Sequence, residues 1–76
     1  MSSSFPAFVN MVRRKINNKM KNAIIRQVYQ DEIDDILSTT LNEQGKITLM
    51  INLLNGLKIP LGVEGAGVSK RLRLTR

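Results

Sequence analysis

The side chains able to do chemistry in this sequence are mostly cations. Twelve Lys and Arg stand against six Asp and Glu, a net charge of +6 over 76 residues. Lys and Arg neutralise phosphates, and each contact releases counterions from a nucleic acid. Arg also presents a fork of donors that matches base edges in a duplex groove. No cysteine and no histidine is present. That removes disulfides, thiolate chemistry, the usual zinc ligands and the commonest general base. The carboxylate pairs Asp31-Glu32 and Asp34-Asp35 are sequence neighbours, and neighbours on a helix point apart instead of sharing a site. They also lack the glycine turn and ligand spacing of a calcium loop. The expectation is a non-enzymatic protein without metal or cofactor.

Glycine-based phosphate loops are equally poorly supported. Gly62-Val63-Glu64-Gly65 has the spacing of a nucleotide-clamping GxxG loop, but Glu64 would face the phosphate. Gly67-Val68-Ser69-Lys70 misses the Walker pattern, in which lysine directly follows glycine. Both read as plain turns.

The order of the charges says more than their sum. Residues 1–30 hold six bases and no acid, namely Arg13, Arg14, Lys15, Lys19, Lys21 and Arg26. Residues 31–43 hold five acids and no base. Residues 70–76 add Lys70, Arg71, Arg73 and Arg76. Two basic blocks therefore flank an acidic segment and a nearly neutral apolar one. Such blocks are the electrostatic footprint expected for a polyanion, while their bland reading is a solvated, solubilising surface. Aromatic interleaving is nearly absent: Phe5 and Phe8 read as core, which leaves Tyr29. That favours duplex or backbone contact over a single-strand stacking platform.

The elements that must carry these residues begin after a loose N-terminus, residues 1–4. Pro6 suits a first helical turn, and Phe5, Phe8, Val9, Val12 and Ile16 share one helical face. Met20, Ile24 and Val28 then advance by four, rotating the stripe by about 40° each step. The phase change at Asn17-Asn18 predicts a kink or a break there. Lys15, Lys19, Asn22 and Arg26 then make a polar ridge, broadened by Arg13, Arg14 and Lys21. A short helix over roughly residues 31–43 follows, with Asp31 as cap, acids in its first turn and Gly45 as its stop. Its expected core stripe is Ile33, Ile36, Leu37, Thr40 and Leu41.

Residues 46–63 decide the fold class. Ile47, Leu49, Ile51 and Leu53 alternate on one side of Asn55-Gly56, and Leu57, Ile59, Leu61 and Val63 on the other. A three-residue loop with Gly56 in the left-handed region would align all eight on one face of a β-hairpin. Pro60 then belongs at a sheet edge. The same residues also fit a helix with Leu49, Met50, Leu53, Leu54 and Leu57 as its stripe. In that reading Thr48 caps the start, Gly56 lies just past the end, and Pro60 is a stop signal. The pattern favours an α+β fold: two or three N-terminal helices on a C-terminal hairpin or three-stranded antiparallel sheet, with an all-α fold as the alternative. Residues 69–76 are then a third strand or a basic tail. One domain spans residues 1–76, and a chain this short is helped by a second copy.

Val28-Tyr29-Gln30 with Ile33, followed by Lys46-Ile47, Leu49, Ile51, Asn52 and Gly56, locally resembles the small phage Cro repressors. The resemblance implies a helix-turn-helix whose recognition helix opens at Tyr29, Gln30 and Asp31, and a dimer built by the C-terminal strand. It covers about a third of the chain, in fragments. Gln27 stands where the family's turn has glycine, and Asp31, Glu32, Asp34 and Asp35 would face phosphates. The fragments do not assign the chain to that family.

The functional expectation is a small basic nucleic-acid-binding protein, dimeric, of the kind that regulates DNA in phages, plasmids or viruses. A protein-binding module, acting through the acidic helix or the aliphatic face, is the second reading. The third is an amphipathic segment, Phe5 to Ile16, lying on an anionic membrane. No apolar run approaches the roughly 18 residues needed to span a bilayer, and a cytoplasmic protein is expected. The acid-free first 30 residues also have the composition of a mitochondrial transit peptide, so that address stays open.

Overall fold

The computed structural model describes residues 4–62, and they form three α-helices. Helix α1 is Ser4–Lys19, α2 is Ala23–Ser38 and α3 is Glu43–Gly56. Each packs against the other two. The connections, residues 20–22 and 39–42, are short, as between neighbouring helices of a bundle.

Helix α1 forms as its apolar spacing predicts. Phe8, Val9, Val12 and Ile16 are buried and Phe5 packs at the edge, with Met11 joining them on a flank the stripe did not include. The chain does not break at Asn17-Asn18; both stay helical. It breaks at residues 20–22, because the Asn22 carboxamide accepts hydrogen bonds from the Ile24 and Ile25 amides and starts α2 there. Asp31 therefore lies mid-helix, and no acid sits in the first turn of α2.

The second correction concerns residues 46–63. Among the described residues there is no strand, so the fold is all-α and the α+β expectation is overturned. The segment is helical through Gly56, and the residues it buries are Ile47, Met50 and Leu54, three and four apart instead of two. Its start lies well before Thr48. The Asn42 carboxamide accepts from the Gly45 amide at 2.8 Å, so the glycine expected to stop a helix sits in the first turn of the next one. Thr48 instead donates its hydroxyl back to the Gln44 carbonyl at 3.0 Å.

Helix α3 stops through a Schellman motif. The Ile59 amide donates to the Leu54 carbonyl at 2.9 Å and the Lys58 amide to the Asn55 carbonyl at 3.0 Å. Lys58 takes the left-handed conformation that the hairpin reading gave to Gly56, with φ 59°. Ile59 and Leu54, bracketing the motif, are both buried. Burial of an isoleucine and a leucine across a helix end holds Lys58 in a conformation costly for a residue with a Cβ. Val63, the last residue of the supposed hairpin, and the proposed third strand or tail at 69–76 lie outside the described residues.

One continuous core results: Phe8, Met11 and Ile16 from α1, Ile33 and Ile36 from α2, and Ile47, Met50 and Leu54 from α3, closed by Ile59. Thr40 and Leu41, expected in it, are exposed in the connection before α3. So are Ile24 and Val28, at 77% and 54% exposure.

Candidate nucleic-acid interface

The helix break at residues 20–22 redistributes the predicted basic ridge. Arg13, Arg14 and Lys15 are consecutive on α1 and point about 100° apart. Arg13 turns to α2, where Nη2 meets Asp34 Oδ1 at 2.6 Å and Nη1 donates to Gln30 Oε1 at 2.8 Å. Gln30 returns hydrogen bonds to the Arg13 carbonyl and to Asn17 Oδ1. Arg13 is thus already engaged by the acidic segment and is a clamp between α1 and α2. Arg14 is exposed on the outer side of α1.

Arg26 is also structural in part. Its Nη1 donates to the Met20 carbonyl at 3.2 Å, bracing the turn that joins α1 to α2. Lys46 does the same at the next connection, its Nζ donating to the Leu37 carbonyl at 2.9 Å. Both cations sit where helix carbonyls run out, which the helix dipole favours.

Lys15, Lys19, Lys21 and Lys58 make no hydrogen bond or ion pair among the described residues, and the last three are exposed. The topology gathers them. Lys15 and Lys19 are one turn apart at the C-terminal end of α1, Lys21 is in the following turn, and Lys58 is at the C-terminal end of α3. The chain beyond α3 comes back to α1: a Cβ placed on Gly62 would lie 3.4 Å from Lys15 Nζ. The α1–α2 connection, braced by Arg26, and the chain returning after α3 thus bring these lysines toward one end of α1. The acids lie away from it, on the C-terminal half of α2 (Asp31, Glu32, Asp34, Asp35) and at the start of α3 (Glu43). Charge is therefore separated along the bundle, with a basic end free of acids among the described residues.

Lys70, Arg71, Arg73 and Arg76 lie outside the described residues. Lys58 is the residue that sequence reasoning missed. Its isolated charge carried no signal in a linear scan; helical α3 puts it just past that helix's C-terminus, four residues before Gly62, which approaches Lys15. Tyr29 is half-buried against the core and offers no exposed stacking platform. No group of three or more His, Cys, Asp or Glu side chains that could hold a metal ion occurs among the described residues. No helix among them is long and apolar enough to cross a membrane. No family model, curated protein or solved structure matches the chain.

Proposed function

We propose that this chain is a small non-enzymatic nucleic-acid-binding protein whose contact surface is the basic end of the bundle. The observation that supports it is the segregation of charge: Lys15, Lys19, Lys21 and Lys58 share one acid-free end and have no polar partner among the described residues. Arg14 flanks this end from the outer side of α1. Lys70, Arg71, Arg73 and Arg76, outside the described residues, are proposed as a second set of phosphate contacts. Arg13 drops out of the contact set, because Asp34 already holds it.

A surface of this kind reads phosphates, not bases. It positions the protein on a duplex through charge, and its affinity follows the number of phosphates neutralised. The helix C-termini of α1 and α3 end beside the lysines, so Lys19 and Lys58 also offset the negative poles of those helices. That structural role does not consume their charge at the surface.

The test is fluorescence anisotropy with a labelled random-sequence duplex and its separated strands over a range of salt concentrations. The expected result is binding that weakens linearly in log K against log salt and favours the duplex. No binding at low salt, or binding indifferent to salt, rejects the proposal. The membrane reading loses its apolar face, since Phe8, Val9, Val12 and Ile16 are buried in the bundle. The protein-binding reading has one specific observation in its favour, the exposed Ile24, Ile25 and Val28.

A further inference from the structure

Helix α2 turns its best apolar residues outward. Ile24 is 77% exposed and Val28 54%, while the helix buries Ile33 and Ile36 on another face; Ile25, on the same side as Ile36, is 46% exposed. An isoleucine and a valine one turn apart, left in water on a chain this small, form an unpartnered strip. The strip has charged ends of opposite sign. Lys21 precedes it, one residue outside the Asn22 cap, and Asp31 follows it on the same face. Within the helix, Ile24, Val28 and Asp31 follow at four and three residues, the seam spacing of paired helices, while Lys21 stands just outside it before the extended Asn22 cap.

We propose that this strip is the interface with a second copy of the chain, packed antiparallel across a two-fold axis beside Arg26. In that register Ile24 lies against the partner's Val28, and Val28 against the partner's Ile24. Lys21 then reaches the partner's Asp31, and Asp31 the partner's Lys21. Both apolar contacts and both ion pairs are satisfied by one symmetry operation, as an isologous interface requires. The groups are available. Lys21 is exposed and has no partner among the described residues. Asp31 accepts one bond from Gln27 Nε2 at 2.9 Å and keeps further lone pairs for a second donor. Arg26, at the axis in sequence, faces the other way onto the Met20 carbonyl and does not obstruct the approach.

The interface is a single helix face, so association in the micromolar range is expected, not an obligate dimer. It also has a geometric consequence. The axis lies near the N-terminal end of each α2, so the basic end of each chain lies beside the start of the partner's acidic half. Lys21 then belongs to the interface, leaving Lys15, Lys19 and Lys58 as the outward bases.

Sedimentation equilibrium on the full 76-residue chain, without nucleic acid, tests this separately from polyanion binding. The wild type is expected to pass from monomer to dimer with rising concentration. Val28→Glu should weaken dimerisation by at least about tenfold while helix content and dilute-solution melting stay nearly unchanged, because Val28 is more than half exposed. Lys21→Glu and Asp31→Lys should each weaken it, and the two together should restore it. A chain that stays monomeric at millimolar concentration overturns the proposal. So does a dimer indifferent to Val28→Glu, or charge reversals that do not rescue one another.

Discussion

Arg13 and Asp34, twenty-one residues apart in sequence, meet at 2.6 Å across the α1–α2 interface. This contact removes one base from the surface and shows why a block of like charge in sequence is not a block in space. Arg13 is held by the acidic segment, whereas Lys19, six residues on, is left to the solvent.

The pair is open to water on one side, with side chains 31% and 60% exposed. Its coupling should therefore be modest, about 0.5–1 kcal/mol in a double-mutant cycle of Arg13→Ala and Asp34→Ala followed by urea unfolding. Arg13→Ala should change duplex affinity less than about twofold, since its charge is already balanced. A loss as large as that of Lys19→Ala would return Arg13 to the contact set.

Gly56 gives a prediction whose sign separates helix from hairpin. In the helix it is the last residue of α3, with nothing within 4 Å of an added Cβ and no left-handed backbone. Gly56→Ala should therefore raise stability by about 0.5–1 kcal/mol. In the hairpin the same change would force an alanine into the left-handed region and lower it. Lys58→Gly should also stabilise, by about 1 kcal/mol, because Lys58 is the residue at φ 59°. Thermal melts of the two variants read both signs.

These two residues also show what the sequence could and could not disclose. The α1 stripe was legible because Phe8, Val9, Val12 and Ile16 fit only one period. The segment from Ile47 to Leu57 fits two, since a run so rich in Leu and Ile puts apolar residues at every second and every third or fourth place. The deciding signals were polar and easily discounted. Asn42 caps α3 before any apolar residue of the run begins, and Asn22 caps α2 nine residues before Asp31. Asp31 reads well as a cap in isolation, but Asn22 offers its carboxamide first, and the intervening residues Ile24, Ile25, Val28 and Tyr29 carry the helix through. Lys58 in the left-handed region was not foreseeable, because residue type alone favours glycine there. It follows from Ile59 and Leu54 burying together. Of the candidate site, the residues of the basic blocks were legible but their grouping was not: the break at residues 20–22 lets Arg13 meet Asp34, and helical α3 brings the chain after Lys58 back to Lys15.

Caps of this weight are measurable. Asn22→Ala and Asn42→Ala should each cost about 1 kcal/mol, with Asn22→Ala the more damaging because its carboxamide accepts two amides against one for Asn42. Loss of Asn22 should appear first as faster hydrogen exchange at Ile24 and Ile25.

The two sides of α2 should respond oppositely to truncation. Ile33 is fully buried, and Ile33→Ala should cost about 2–5 kcal/mol, enough to abolish cooperative unfolding in a domain this small. Val28→Ala should shift the monomer by under about 0.5 kcal/mol, since the side chain is 54% exposed. Calorimetry at low protein concentration distinguishes them.

The central claim, that one end of this bundle neutralises a polyanion, is tested most directly by the salt slope of duplex binding. The wild type is to be compared with the triple variant Lys15→Gln, Lys19→Gln, Lys58→Gln. Each lost phosphate contact should flatten the slope of log K against log salt by about 0.9, so the variant should fall short of the wild type by about 2–3. An unchanged slope, with the fold intact by circular dichroism, would contradict the assignment of these lysines and with it the functional reading.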